Sequence, residues 1–239
     1  ADGLETLRDA ADPELLAVPA VLFCLAETVE DPGILVLEWI EETHWTSLHW
    51  DRLGHGLAQL HRAATGPYGH HRDNVLGRLP QYNGFDDDWA TFFIERRLSP
   101  QISYARREGL WDPEWDPLVA PVLSVVDTVL PSRPPASSLH GDLWSGNVLA
   151  VADGRAAVID PAVYAGHRET DLAMTRLFGG FPPRFYNAYE ETWPSEPRWE
   201  ERLPIYQAYH LLNHLNHFGR GYAHAVDAVL RTITQADRK

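Results

Sequence analysis

The stretch His140-Gly141-Asp142-Leu143-Trp144-Ser145-Gly146-Asn147, followed by Ile159-Asp160-Pro161, decides how this chain is read. Between the two lie Val148–Val151 and Ala156–Ile159, which flank Asp153-Gly154, a strong hairpin signal. The spacing predicts a loop that presents Asp142 and Asn147, two strands that run out and back, and Asp160 returned to the same place. The Gly146-Asn147 pair permits a tight turn that brings the Asn side chain inward. Each of the three residues alone is an ordinary turn former. Together, bracketing a hairpin, they form a candidate centre for one proton and one divalent metal ion.

Phosphoryl transfer needs such a set. One carboxylate orients the attacking hydroxyl and accepts its proton, while an amide oxygen and a second carboxylate hold Mg²⁺ against nucleotide phosphates. The spacing matches H-R-D-L-x-x-x-N, with Gly141 in place of the Arg.

Outward from this segment the pattern is mixed. Residues 3–11 read as a short helix stopped by Asp12-Pro13. The apolar runs Val18–Ala26 and Ile34–Ile40, with Asp31-Pro32-Gly33 between them, read as an antiparallel strand pair. Thr46 or Ser47 can cap a helix running to about Ala64, with Leu48, Leu53, Leu57 and Leu60 on one face. Residues 65–85 read as an ordered loop. Asp86 to Asp88 supply charge for a helix to about Arg107, and another runs from Pro113 to Leu130. PSRPPASS (131–138) is a break, and helices follow at roughly 170–178, 182–192, 198–218 and 222–236. There are too few βαβ units for a doubly wound sheet, so the fold class is α+β.

The chain has 239 residues and a net charge of −14, from 34 acidic and 20 basic side chains. Such a surface repels phosphate backbones, so nucleic acid is not an expected partner. No long uninterrupted apolar run or signal peptide is visible, so no membrane association is expected. The chain does not begin with Met, which leaves room for it to be a piece of a longer protein. Cys24, the one cysteine, lies in the apolar run AVLFCLA and reads as a buried thiol, which suits a reducing cytoplasm. Nineteen basic residues are Arg; the single Lys is Lys239.

HGDLWSGN followed by VIDPAVYAGHRETDLAM resembles the fructosamine (ketosamine) kinase family, in the aminoglycoside phosphotransferase branch of the protein-kinase-like fold. HGD…N…D belongs to the whole branch. Trp144, the Tyr164–Glu169 stretch and Asp171-Leu-Ala-Met are more particular to ketosamine kinases. Tyr68-Gly69, Asp73-Asn74, Gly77–Gln81, Trp89–Phe93, Arg97-Leu98 and Gln59-Leu60-His61 also match, so the resemblance covers essentially the whole chain.

The resemblance implies a protein-kinase-like α+β fold. Residues 1–40 would be a remnant of the nucleotide-binding lobe and 41–239 a mainly helical lobe. Asp142 would be the catalytic base and Asn147 and Asp160 the metal ligands. Glu38, Trp39 and Ile40 would be a hinge that contacts the adenine of ATP by main chain. Trp144 would wall the acceptor pocket, with Glu169 a further substrate contact or, like Asp171, a helix cap. His140 would hold the loop backbone by hydrogen bonds. ATP and Mg²⁺ are the implied cofactors, and the acceptor would be the 3-hydroxyl of a ketosamine, as a small molecule or on a glycated protein lysine.

A complete member also has a Gly-rich loop, a strand Lys and a helix Glu that pairs with it. No Gly-rich loop precedes the first helix here and no interior Lys exists, so the expectation is a chain whose nucleotide lobe is incomplete and whose turnover is poor. Three other readings stay open at this stage. The first is a kinase of aminoglycoside, choline or homoserine type, using Asp86–Asp88 or Glu190-Glu191 to bind a cationic acceptor. The second is a non-catalytic kinase-like binding module. The third is a zinc site at His210, His214 and His217, which lacks the Glu of H-E-x-x-H and reads better as a packed helix face.

Overall fold

The computed structural model describes residues 1–26, 28, 32–64 and 66–236. Helix α1 (Asp2–Ala10) buries Leu4 and Leu7 and ends before Asp12-Pro13, as the breaker requires. Strand β1 (Leu16–Ala17) follows, then β2 (Val21–Leu25) and β3 (Ile34–Leu37), which pair antiparallel with Cys24 opposite Leu35. Asp31 in the expected turn lies outside the described residues, as does Lys239.

Cys24 is exposed, against expectation. The β2–β3 pair is a two-stranded ribbon, and Phe23, Leu25, Ile34 and Val36 on its other face are about half exposed as well. An apolar strand is buried only if a second layer covers it, and none does so among the described residues.

Helix α2 (Ser47–His61) starts at Thr46, whose N–H donates to His49 Nδ1 at 2.9 Å. The other ring nitrogen, Nε2, then carries the proton and donates to the Val151 carbonyl at 2.9 Å, tying the helix to the hairpin beyond the 140–147 loop. Leu53, Leu57 and Leu60 are fully buried, but Leu48 is half exposed. It sits in the first turn and covers Gly154 in the hairpin tip.

The segment expected to be loop contains a small hairpin, β4 (Asn74–Leu76) and β5 (Leu79–Gln81). Next come α3 (Trp89–Phe93), a widened π turn at Ile94–Leu98, and α4 (Ser99–Arg107). Asp88 caps α3 by accepting the Thr91 N–H at 2.8 Å, so the acidic run serves a helix end. Pro100 has no N–H to give to the preceding turn, which accounts for the widening there. A short 3₁₀ turn (Pro113–Trp115) leads into α5 (Asp116–Val129).

Strand β6 (Ser137–Leu139), hidden in the proline-rich break, pairs with β9 (Tyr164–Gly166). Strands β7 (Val148–Ala150) and β8 (Ala156–Val158) form the expected hairpin, Val148 opposite Val158. Strand β1 adds parallel to β8, Leu16 beside Ala156. Helices α6 (Glu169–Thr175), α7 (Pro183–Thr192), α8 (Trp199–Phe218) and α9 (Ala223–Ala236) complete the chain. The architecture is α+β with small sheets among helices.

Two hydrophobic clusters hold it. One is built on α3, α5, α8 and α9 around Trp89, Phe92 and Phe93. The other joins Leu4, Leu7 and Leu16 to Leu53, Leu57, Val148, Val158 and Phe185. Residues up to Val18 thus share a core with the β7–β8 hairpin; Val21 and Leu37 pack against its edge, and the rest of the β2–β3 ribbon is exposed.

Candidate active site

The 140–147 segment enters from β6 and turns at Gly141, whose φ is +82°. A Cβ there would lie 2.0 Å from the Ala162 carbonyl oxygen, so glycine is required for both conformation and space. This is the physical reason Gly replaces the Arg of the commoner pattern.

His140 is fully buried. Its Nδ1 accepts the Asp142 N–H at 3.2 Å, which makes Nε2 the protonated nitrogen; that group donates to the Ile159 carbonyl at 2.9 Å. Burial holds this imidazole below its ordinary value. His140 therefore joins the residue before Asp160 to the backbone of Asp142, the structural part expected of it.

Asn147 is buried and donates to the Asp142 carbonyl at 2.8 Å and to its Oδ2 at 3.1 Å. Its Oδ1 has no hydrogen-bond partner among the described residues. The Ile159 N–H donates to the Asn147 carbonyl at 3.0 Å, closing the hairpin at its base. Asp160 is exposed, with φ of +53°, a strained setting for a residue with a Cβ. Burial, and then the charge of Asp160, push Asp142 up to about 7 against the hydrogen bond from Asn147. Two carboxylates and an unused amide oxygen thus crowd one spot, with no cationic side chain among the described residues bonded to either carboxylate. That donor set fits a divalent ion with oxygen ligands.

Asp160 lines a cleft of about 530 Å³ together with Leu35, Leu37, the Glu38–Ile40 segment, Leu149 and Ile159. The Glu38 N–H donates to the Ala20 carbonyl at 2.8 Å, and the Glu38 carboxylate accepts the Ala20 N–H at 3.1 Å. This anchors the Glu38–Ile40 segment, while the Glu38 carbonyl and Ile40 N–H have no partner among the described residues. Trp39 is 88 % exposed.

Trp144 stands at the other side of the loop, its ring over Gly146 and edge-on to Phe178 at 6.4 Å. Phe178 in turn packs at a tilt against His214 at 4.6 Å, so an aromatic surface adjoins the 140–147 loop. Glu169, expected from the sequence as a substrate contact or a helix cap, is not part of that surface. It is buried, and both its oxygens accept from Arg202 at 2.6 and 2.7 Å. Burial raises its carboxyl even so, because desolvation outweighs the Arg202 charge.

The sequence reading left Asp171 without a settled part; the structure gives it one. It is fully buried and accepts the His140 N–H at 2.7 Å, the Gly141 N–H at 2.9 Å and His61 Nε2 at 3.2 Å. Burial acts to raise this carboxyl, but His61, His140 and the Gly141 N–H more than offset it and the value is lowered. His61 is held in turn by the Tyr189 hydroxyl at 2.8 Å. Behind Asp160, Gln81 and Asn74 of the β4–β5 hairpin donate to the Ala162 and Val163 carbonyls at 2.9 and 2.8 Å. These supports come from distant segments and leave no periodic signal.

His210, His214 and His217 do not converge. His210 is buried with neither ring nitrogen bonded, His214 bonds the His210 carbonyl, and His217 Nε2 accepts the Arg78 N–H at 2.8 Å. No helix among the described residues is long and apolar enough to cross a membrane.

Comparison with known proteins bears on the family and the fold. A profile of the fructosamine kinase family matches residues 1–236. A probable ketoamine kinase of Enterococcus faecium is 43% identical over 212 residues, spanning 88% of this chain and 75% of that protein. The crystal structure of a fructosamine-3-kinase homologue from Thermobifida fusca superposes with a TM-score of 0.87 at 35% identity, covering 98% of this chain and 78% of the other. The aminoglycoside phosphotransferase APH(4)-Ia superposes at 0.65 with 17% identity over 98% of this chain and 82% of that one, which shows a shared protein-kinase-like fold. A match over nearly the whole chain, together with the loop and hairpin just described, places this protein in the fructosamine kinase family.

Proposed function

We propose that this chain carries the catalytic lobe of an ATP-dependent kinase that phosphorylates the 3-hydroxyl of a ketosamine. The observation that carries the reading is the convergence of Asp142, Asn147 and Asp160 beside a cleft edged by unpaired hinge backbone. Adenine would lie against the Glu38 carbonyl and Ile40 N–H. Asn147 Oδ1 and Asp160 would hold Mg²⁺, which supplies charge neutralisation at the phosphates. Asp142 takes the proton of the sugar hydroxyl as its oxygen attacks the γ-phosphorus; the bond to the bridging oxygen breaks and ADP leaves. Trp144 offers an aromatic face to the apolar side of the sugar. A 3-phosphate is a good leaving group in a ketosamine, so the product sheds its sugar and the amine, such as a protein lysine, is recovered.

The test is a phosphorylation assay of the full-length protein on fructose- and ribulose-amine adducts beside aminoglycoside, choline and homoserine acceptors. Transfer confined to the ketosamines supports the reading; transfer confined to another acceptor overturns the substrate, and no transfer to any acceptor overturns the catalytic part. Asp160→Ala should abolish Mg²⁺-dependent ATP binding, read by calorimetry. Unchanged affinity would remove Asp160 from the metal site.

A further inference from the structure

Asp2, His70 and His71 hold one ligand atom each within 4.8 Å of one another, a group of metal-ligating type that stands apart from the catalytic loop. His70 Nε2 lies 3.1 Å from Asp2 Oδ2 and His71 Nε2 lies 3.8 Å from Oδ1. Neighbouring side chains of an extended segment ordinarily point to opposite sides. Here the two rings sit side by side, centroids 4.1 Å apart, and both Nε2 atoms reach the same carboxylate.

The frame that imposes this arrangement is rigid. Gly69 exchanges two 2.8 Å backbone hydrogen bonds with Ala165, and the His70 N–H donates to the Asn83 carbonyl at 2.9 Å. Gly69 has φ of +118°, and a Cβ there would meet the Asn83 carbonyl at 2.4 Å, so the turn cannot relax around a larger residue. Arg72 donates to both Asp2 oxygens, at 2.9 and 2.6 Å, and orients the carboxylate as an outer partner does for a ligating group. Glu5, one turn along α1, offsets the Arg72 charge. His71 is more than half exposed, which leaves an entry path from solvent.

We propose that Asp2, His70 and His71 form a site for a borderline divalent metal ion such as Zn²⁺, with solvent completing the coordination. Two imidazoles and one carboxylate suit zinc and cobalt and suit Mg²⁺ poorly, which separates this site from Asn147 and Asp160. Binding would pin the first turn of α1 to the 69–72 turn. Gly3, the next residue, already packs against Pro161 beside Asp160, so the pinned turn borders the cleft.

The experiment is a Zn²⁺ titration of metal-stripped protein by calorimetry in excess Mg²⁺, with hydrogen exchange of residues 2–10 and cobalt absorption as further readouts. One saturable site is expected, with four-coordinate cobalt spectra and slower exchange in α1 when metal is bound. His71→Ala, an exposed change that should leave the metal-free melting temperature alone, should weaken binding by at least about tenfold. Asp2→Asn should do likewise, and the exposed control His224→Ala should have no effect. Absence of a saturable site, or equal affinity in His71→Ala and the unmodified chain, would overturn the proposal.

Discussion

Asp142→Asn is expected to lower kcat for ketosamine phosphorylation by about 10²–10⁴-fold, the range for loss of a positioned general base, while making the metal-free fold more stable at pH 8. Both effects follow from one setting. Asp142 is largely removed from water and faces Asp160, so its ionised form is disfavoured and its value rises to about 7 from an ordinary 3.8. The folded state therefore keeps a proton that the unfolded chain releases near pH 4. Where the native state binds more protons, stability falls as pH rises, so the loss develops between about pH 4 and pH 7 and is complete above that.

Asparagine keeps the shape and the contact with Asn147 but carries no charge. Allowing for partial exposure, the gain at pH 8 should be about 1–3 kcal/mol. It is read as a higher urea midpoint that no longer falls between pH 5 and 8. The same titration should make kcat/KM of the unmodified enzyme rise with pH through the region near 7. A variant with undiminished kcat would show that another group takes the proton. A variant no more stable at pH 8 would show that burial and Asp160 together do not disfavour the ionised Asp142 in the fold.

Asp171→Ala is expected to cost about 3–5 kcal/mol, the range for breaking a buried charged network from one side. The loss leaves the His140 and Gly141 amides and His61 without their acceptor in a dry interior. For a fold with a net stability of about 5–15 kcal/mol, much of the reserve would go. Urea unfolding measures it. Acid dependence gives a second signature. The carboxyl is lowered in the folded state, so its contribution is present above its unfolded value of 3.8 and is lost as pH falls through the lower folded value. The variant should lose that part of the acid sensitivity. A cost below about 1 kcal/mol, no more than one ordinary hydrogen bond, would mean that the loop holds itself without Asp171.

The two variants separate chemistry from support, and the sequence disclosed them unequally. Asp142, Asn147 and Asp160 lie on one loop and its hairpin, where turn chemistry and strand length fix their approach. The β2–β3 pairing was legible for the same reason, as was the capped start of α3. The β4–β5 hairpin was not: its strands are three residues long, and one contains Pro80. Strand β6 was masked by the prolines before it. Leu48 and Cys24 were misplaced because periodicity names an apolar face without saying whether anything covers it.

The letters alone carried the resemblance to the family and the α+β class, and they named Asp142, Asn147 and Asp160 as candidates, because motif residues and turn signals lie close together along the chain. Folding in three dimensions decided what surrounds them. His61 and Asp171 meet across 110 residues, and Glu169 is consumed by Arg202 from 33 residues away. The value of Asp142 depends on how much water the assembled lobe excludes. Burial and charge proximity are properties of packed neighbours, and no window of sequence contains both partners.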